Sequence, residues 1–535
     1  MDPLKASLFQ DLPVILRGSS TDKVQFKVVE NRQSLSVSSS VPIPLASVFL
    51  PLCNSGLYYS EIEKVLNSNA GKSSLYMQSL LRATRSSLES YLKVVQLVEV
   101  EVCKPYTEVN SLQAILLPSS FYLRTLLSIL REVLRNSSLE DNICMNAVYR
   151  YTLNGDPLIS NYTSSIYDAI FATFSSLLKN WEDQGSLDLD VFEEFFVSKV
   201  DKSHKRYDFV LHEEKVPQGF SMWKAKEAFE KGKALYFVRT VCGFNLYDGS
   251  GRTCEEVCAY AYELLVNKFH LHLRIRGLRD YMFLANGNYT EGLFRNDTQL
   301  FMMESLANTK PSDIGGYLLS AFDDLKGSLK EDPKVFSQID GKLVNFDDPE
   351  GKRNWEGFVC CYYMPSLPLS LIIDSECIQK YERCFAVLFR IRFSFYYITY
   401  CKAILQTLYH ESMPVEPIMQ TLRRFFVPMA SIQQAFYYEK IDTNWTKFQN
   451  ILLRDASKFK LDTIKSAHND YLDSIVNAVA SPQIFQAIDN AARQTYEFLQ
   501  LIRDLESGAL STAYVDSETK KIVEQYLVSI GQVPL

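Results

Sequence analysis

The chain has 535 residues, of which 47% are hydrophobic and 22% are charged, and its formal net charge is −7. This length is too great for one compact core and predicts two or three domains, while the ordinary hydrophobic content argues against extensive disorder. The acidic balance argues against a nucleic-acid-binding protein, which would carry a basic stripe to neutralise phosphates. Gly (21) and Pro (19) are scarce beside 33 Phe and 31 Tyr, which favours helices.

The cysteines and the apolar stretches bear on the cellular compartment. Most of the eleven cysteines lie inside apolar helical patterns, as is usual for reduced thiols in a cytosolic protein. The N-terminus has no basic head followed by an apolar run, so no signal peptide is expected. The longest uncharged stretch, 357–373, contains two prolines and is a poor membrane span. We therefore expect a cytoplasmic protein without membrane insertion.

Residues 1–47 differ in pattern from the rest and are predicted to form an N-terminal arm. Alternation of apolar and polar residues over 24–28 and 35–37 predicts a short β-hairpin or an extended segment. Helical patterns begin near residue 45. Ser60 and Glu63 have the spacing of a capping box, which is typical of a helix start.

Apolar residues at helical spacing predict a bundle in the first half of the chain. The predicted helices cover 75–102, 118–134, 140–153 and 163–181, and their short connections imply antiparallel neighbours. Farther along, 378–408 is apolar on nearly all sides, which is typical of a central core helix or of a core helix with an interface. Three of its basic residues fall within one ~80° sector, where we expect a partner or solvent edge: Lys380, Arg383 and Arg390.

Two Gly-Lys motifs invite a nucleotide-binding interpretation, and neither supports it. G-K-S-S at 71–74 has Leu66 where a phosphate loop requires its first glycine, so a polar loop between helices is expected. Lys231-Gly232-Lys233 has no Gly-rich approach and no preceding strand. It predicts a helix start, or a glycine needed for tight packing.

Other candidate chemical groups also favour structural roles. The acidic cluster at 188–194 surrounds Phe192, Phe195 and Phe196 and has no His or Cys nearby, so helix capping or an acidic interface edge is preferred over a metal or acid/base site. Cys254 and Cys258 have no partner pair for zinc, and a lone His468 on an apolar stripe is typical of a core residue. We therefore expect no catalytic constellation, no metal, no cofactor and no enzyme activity.

The segment around Trp181 carries a family resemblance. In order, the chain reads Y-T-L-N-G-D-P (151–157), L-L-K-N-W-E-D-Q-G-S-L-D-L-D-V-F-E-E-F-F-V (177–197), V-P-Q-G-F (216–220) and A-F-E-K-G-K-A-L-Y-F-V-R-T-V-C-G (228–243). Later come L-R-D-Y-M-F-L-A-N-G-N-Y-T-E-G-L-F (278–294), Y-E-R-C-F-A-V-L-F-R-I-R (381–392) and A-H-N-D-Y-L (467–472). This succession resembles the gamma-tubulin complex component family (the Spc97/Spc98 group). Departures are Asn288 in place of the usual Asp, and a missing Trp after Arg392.

The resemblance implies a mostly α protein with two consecutive helical-bundle domains in an elongated arrangement. It implies that 48–245 associates laterally with other gamma-tubulin complex components and that 246–535 binds gamma-tubulin. Such a scaffold would template microtubule nucleation at microtubule-organising centres or spindle poles, within the cytoskeleton. The alternative from another class is a helical tether of vesicle trafficking without gamma-tubulin.

Two sets of residues are predicted to contact partners. Acidic residues are expected at the lateral interface: Asp156, Asp188, Asp190, Glu193 and Glu194. Aromatic and Arg anchors tend to dominate interface energetics, so the gamma-tubulin-binding candidates are Trp355, Tyr362, Pro368, Tyr381, Arg383 and Arg390. The stretch 355–373, which supplies three of these, is predicted to be either a buried connector or the rim of a partner site.

Overall fold

The computed structural model describes residues 3–29, 32–68, 74–104, 106–135, 143–200, 207–244, 251–295, 339–343, 358–453 and 460–533. The chain forms two compact units, Met1–Cys254 and Glu255–Leu535. Within the described ranges, helices dominate both units, and the strands form small two-stranded antiparallel sheets. The predicted mostly α fold with two helical domains is confirmed.

The first unit is a helical bundle with two short hairpins. Its elements are α1 (Pro3–Leu16), β1 (Val24–Val29), β2 (Arg32–Val37), α2 (Ile43–Ser68), α3 (Leu75–Val102), α4 (Val109–Arg135), α5 (Ile143–Thr152), α6 (Pro157–Gln184), β3 (Val197–Lys199), β4 (Phe209–Leu211) and α7 (Met222–Tyr236). A π-helical turn, Phe237–Val241, follows α7.

Residues 3–37 contain the predicted β-hairpin and, before it, a helix that was not predicted. The hairpin is present, with β1 and β2 paired from Val24↔Val37 to Val29↔Arg32. Helix α1 was not predicted, and it packs tightly on α2, because a Cβ added to Gly56 would lie 2.2 Å from the carbonyl oxygen of Ile15. This N-terminal helix therefore belongs to the core of the first unit.

Local signals place the ends of the long helices. Ser74 caps α3 by accepting a hydrogen bond from the Met77 amide, and Asp156 caps α6 just before Pro157 at its first position. Helix α6 ends at Gly185 with φ 66°, the left-handed conformation that glycine adopts without strain.

Two predicted helix starts are wrong. Ser60 and Glu63 lie inside α2, which begins at Ile43, so their capping-box spacing does not mark a start. Lys231 lies inside α7, which begins at Met222. The tight-packing alternative for Gly232 is confirmed below.

The second unit is built around one long helix. Its elements are α8 (Cys254–Glu263), α9 (Leu271–Gly277), α10 (Gly287–Arg295), β5 (Ile339–Leu343), β6 (Phe358–Tyr362), α11 (Ser375–His410), α12 (Glu416–Gln434), α13 (Thr443–Leu452), α14 (Leu461–Val479), α15 (Pro482–Glu506) and α16 (Thr512–Ile530). Helices α12, α14 and α15 all contact α11. Eighteen of the 36 residues of α11 are buried, which confirms the prediction of a central core helix for most of 378–408.

Candidate functional site

In the segment around Trp181, α6 and α7 pack so closely that there is no room for a side chain at two glycines. Trp181 is fully buried, and a Cβ added to Gly232 would lie 2.0 Å from Cε2 of its indole ring. A Cβ on Gly185 would lie 2.5 Å from the backbone nitrogen of Tyr236. Only glycine fits at either position. The Gly-Lys motif is thus a packing device between two helices.

The aromatic residues of the same segment form part of the core. The ring of Phe174 lies 5.9 Å from that of Phe195, 6.0 Å from that of Phe196 and 5.2 Å from that of Phe220, measured between centroids. Phe174, Phe195 and Phe196 are at most 1% exposed. These rings therefore anchor the acidic loop to α6.

Two of the acidic residues are occupied inside the unit. The carboxylate of Asp190 accepts hydrogen bonds from the amides of Glu194 (2.9 Å) and Phe195 (3.0 Å). Glu194 accepts from the amides of Leu75 (2.7 Å) and Tyr76 (3.4 Å), the first two residues of α3. Burial raises the pKa of the Glu194 carboxyl, against the lowering by its hydrogen bonds. Glu194 is a cap for a helix that lies 119 residues earlier.

The prediction of a five-residue acidic edge is therefore only partly consistent with the structure. Glu194 is 8% exposed and serves as a cap, so the prediction of an interface role for it is wrong. Asp190 is half-buried, and its interface role stays a prediction. Asp156, Asp188 and Glu193 are exposed. All three carboxylates reach the surface, and that of Asp156 also caps α6.

Most of the predicted gamma-tubulin-binding anchors lie in the core of the second unit. Tyr362 is 4% exposed, Tyr381 is fully buried and Pro368 is buried as well. A side chain that is buried in its own unit cannot anchor a partner, so these three predictions are wrong. Trp355 lies outside the described residues.

The basic sector of α11 is split between core and surface. Arg390 is 5% exposed, and its Nε donates to Oδ1 of Asp489 on α15 at 2.5 Å. Lys380 pairs with Glu376 (3.1 Å) and Asp473 (2.8 Å). Arg383 alone of the three is exposed. The prediction of a partner contact is wrong for Arg390 and stays open for Arg383.

Strand geometry shows which residues of 355–373 reach the surface. Cys360 and Tyr362 of β6 point into the core, whereas Tyr363 and Met364 are 50% and 58% exposed. Successive side chains in a strand point to opposite faces, so Tyr363, which directly follows the buried Tyr362, is expected on the outer face. Met364 lies beyond the end of β6 and does not follow this alternation. The stretch is both a buried connector and an exposed aromatic rim.

A buried polar cluster in the second unit brings a cysteine beside a histidine. His468 is fully buried, its Nδ1 donates to the carbonyl oxygen of Ile372 (3.3 Å), and the Tyr381 hydroxyl donates to its Nε2 (3.1 Å). The Sγ of Cys377 lies 3.8 Å from Nδ1 of His468. Burial raises the pKa of the Cys377 thiol to about 12. A protonated, buried thiol is not a nucleophile, and the prediction that His468 is a core residue is confirmed.

The pH dependence of stability should report on His468. Burial lowers its pKa from 6.5 to about 4, so between these values the unfolded chain binds a proton that the folded chain does not. Stability should therefore fall as pH falls through this window, by about 3 kcal/mol. Hydrogen exchange of peptides from α14, measured on the whole chain between pH 7 and 4, gives this slope.

The matched comparison uses two His→Gln variants. His468→Gln should be less stable at pH 7 and should lose this part of the slope. His410→Gln changes an exposed histidine at the end of α11 and should leave the slope as it is. Equal slopes in all three proteins would contradict the assignment.

The described residues were compared with the requirements of a metal site and of a membrane-spanning helix. They contain no group of three or more His, Cys, Asp or Glu side chains arranged to hold a metal ion. Residues 71–73 of the G-K-S-S motif lie outside the described part. Helix α4 is the one described helix long and apolar enough to cross a membrane, and it contributes buried residues to the first unit: Leu112, Leu116, Leu123, Leu126, Leu127, Ile129, Leu130 and Val133.

Comparison with known proteins assigns the chain to a family. The family model "Gamma tubulin complex component N-terminal" matches residues 9–276, and the model "Gamma tubulin complex component C-terminal" matches residues 271–530. The chain belongs to the gamma-tubulin complex component family. The resemblance read from the motifs is thereby confirmed, and the vesicle-tether alternative is left without support.

Curated relatives agree with this assignment. The chain is 23% identical over 543 residues to the spindle pole body component alp6 of Schizosaccharomyces pombe, covering 88% of this chain and 63% of that protein. It is 21% identical to human gamma-tubulin complex component 3 over 93% of this chain and 59% of the relative. The Xenopus laevis homolog is 21% identical over 92% and 59%. The chain thus spans about three-fifths of the length of these relatives.

Proposed function

We propose that the chain is a scaffold subunit of a gamma-tubulin complex and has no catalytic role. Residues 48–245 associate side by side with other complex components, and residues 246–535 bind gamma-tubulin. The observation that carries this proposal is the succession of both family domains along one chain, over 9–276 and 271–530. The names of the relatives support a place in the cytoplasm and cytoskeleton, at the microtubule-organising centre or spindle pole.

The physical advantage of such a scaffold is entropic. Microtubule nucleation from free tubulin dimers is limited by the cost of bringing several subunits together. A scaffold that holds gamma-tubulins side by side raises their effective concentration without any new contact between them. Stiff helices such as the 36-residue α11 suit this role, because they hold a surface in place.

The exposed members of the predicted sets are the contacts we assign to each partner. Asp156, Asp188 and Glu193 present carboxylates on the first unit, where a neighbour with basic groups would be favoured. On the second unit we assign Arg383 to the gamma-tubulin surface. We add Tyr363, because exposed aromatic and Arg side chains are the usual anchors of protein interfaces.

Affinity capture separates the two halves of this proposal. The tagged chain should retain gamma-tubulin and other complex components at near-stoichiometric amounts. Arg383→Glu should reduce gamma-tubulin several-fold and leave the other components in place. Asp188→Lys should do the reverse. Mass spectrometry with labelled standards gives both ratios from one sample.

Matched charge reversals elsewhere provide the controls. Lys447→Glu on α13 and Asp168→Lys on α6 change exposed residues outside the assigned surfaces and should leave both ratios near the wild-type values. Absence of gamma-tubulin from the wild-type capture would overturn the proposal. Equal losses of gamma-tubulin in Arg383→Glu and Lys447→Glu would overturn the residue assignment alone.

A further inference from the structure

A groove lies between the second half of α11 and the first half of α12. It encloses about 530 Å³, which is within the usual range for binding clefts, ~300–1,000 Å³. Its apolar lining includes Leu405, Met419 and Phe426. Tyr409 and Val427 at its edges are 47% and 61% exposed. The second unit thus leaves an apolar strip on a helical hairpin open to solvent.

The other face of α12 is already occupied within the unit. The ring of Phe425 lies 4.5 Å from that of Tyr526 on α16, and the Tyr526 hydroxyl donates to the Phe425 carbonyl oxygen at 2.9 Å. Arg424 pairs with Glu524 of α16 at 2.7 Å. Helix α16 therefore covers one side of α12, and the groove lies on a side it does not cover.

The charges along the groove are unbalanced. Lys402 and Arg423 line it, and neither has an ion-pair partner in the part of the chain that the structure describes. Glu416 also lines the groove, but it is the first residue of α12. Its charge is offset by the positive end of that helix. Two uncompensated cations therefore stand beside the apolar strip.

We propose that this groove binds an amphipathic helix of a partner protein, with an apolar stripe flanked by carboxylates. Laying such a helix into an apolar groove is a common mode of peptide recognition. The wall from Glu416 to Val427 is ~16 Å long at 1.5 Å per residue, which matches about three helical turns. Carboxylates on the incoming helix would meet Lys402 and Arg423. Its lining includes neither Arg383 nor Tyr363, the two residues assigned above to the gamma-tubulin surface.

Two labelled peptides of about 16 residues test the proposal by fluorescence anisotropy on the full chain. Both carry Leu at i, i+3, i+4 and i+7, one with flanking Glu and the other with flanking Lys. The Glu peptide should bind at least about tenfold more tightly than the Lys peptide. Lys402→Glu/Arg423→Glu should weaken the Glu peptide at least about tenfold. Arg424→Ala, a change on the same helix outside the groove lining, should leave its affinity within about twofold.

Four outcomes would overturn the proposal. The first is no binding of the Glu peptide, and the second is equal binding of the two peptides, which would indicate non-specific apolar adhesion. The third is self-association of the wild-type chain in sedimentation that Val427→Glu abolishes, since a second copy would then fill the groove. The fourth is loss of gamma-tubulin capture in the double variant, which would make the groove part of the gamma-tubulin surface. Gamma-tubulin capture is scored independently, so failure of the proposed function is distinguishable from failure of this one.

Discussion

Arg390→Glu should destabilise the second unit instead of removing a surface contact. The Arg390 side chain is 6% exposed and that of Asp489 is 14% exposed, and the two are joined at 2.5 Å. Arg390 also donates to the carbonyl oxygen of Ala386 (2.9 Å), and its guanidinium lies 4.8 Å from the ring centre of Phe485. Removing one partner of a buried ion pair costs about 3–5 kcal/mol. Charge reversal adds the repulsion of two carboxylates.

Hydrogen exchange of peptides from α11 and α15, together with a denaturant titration of the whole chain, measures this effect. Arg383→Glu makes the same charge change seven residues earlier on the same helix, at an exposed position, and should shift stability by no more than about 0.5 kcal/mol. Arg390→Glu with Asp489→Arg should recover part of the loss, since the pair is restored in reverse. If Arg390→Glu left the denaturation midpoint unchanged but abolished gamma-tubulin binding, Arg390 would be an interface residue and its structural role would be contradicted.

Gly232→Ala should destabilise the first unit by about 3 kcal/mol or more. This is at or above the largest cost that is usual for adding a methyl group to a packed core. In an ordinary helix this change is favourable by roughly 1 kcal/mol. Here the sign is reversed because the new Cβ would lie 2.0 Å from the Trp181 ring. Hydrogen exchange of peptides from α6 and α7 should show the loss, with the second unit unaffected.

A double-mutant cycle identifies the cause. Trp181→Phe should cost less stability in the Gly232→Ala background than in the wild type, because the smaller ring relieves the clash. Gly155→Ala is the matched control, since nothing lies within 4 Å of its added Cβ. Additive effects of Gly232→Ala and Trp181→Phe would show that the two side chains are not coupled.

Helices were predictable from sequence where their ends carried ordinary signals. The prediction 75–102 coincides with Leu75–Val102, and the end predicted at Trp181 lies three residues before the observed end of α6 at Gln184. Errors arose at prolines, which favour the first turn of a helix. Helix α4 runs through Pro118 from Val109, so the predicted start at residue 118 is wrong. The missed α1 also contains a proline, Pro13.

The site residues were harder to predict, because sequence alone does not separate an anchor for a partner from an anchor for the core. Tyr381 and Arg390 have the residue types of interface hot spots, and both are used inside the second unit. The partner of Arg390 is 99 residues away in the chain. An ion pair between residues so far apart in the chain produces no recognisable motif in the local sequence. Exposure could be inferred only where alternation along a strand was visible, as at Tyr363.

The cap that Glu194 provides has a consequence for synthesis of the chain. The start of α3 is synthesised well before residue 194. The amides of Leu75 and Tyr76 therefore lack the Glu194 carboxylate as an acceptor until some 120 further residues have been added. Domains fold as units as they emerge, and this contact closes a loop of that length. A nascent chain that stops short of residue 194 therefore holds α3 with only the local cap from Ser74. The first unit reaches its final form only after the loop that carries Glu194 has left the ribosomal tunnel.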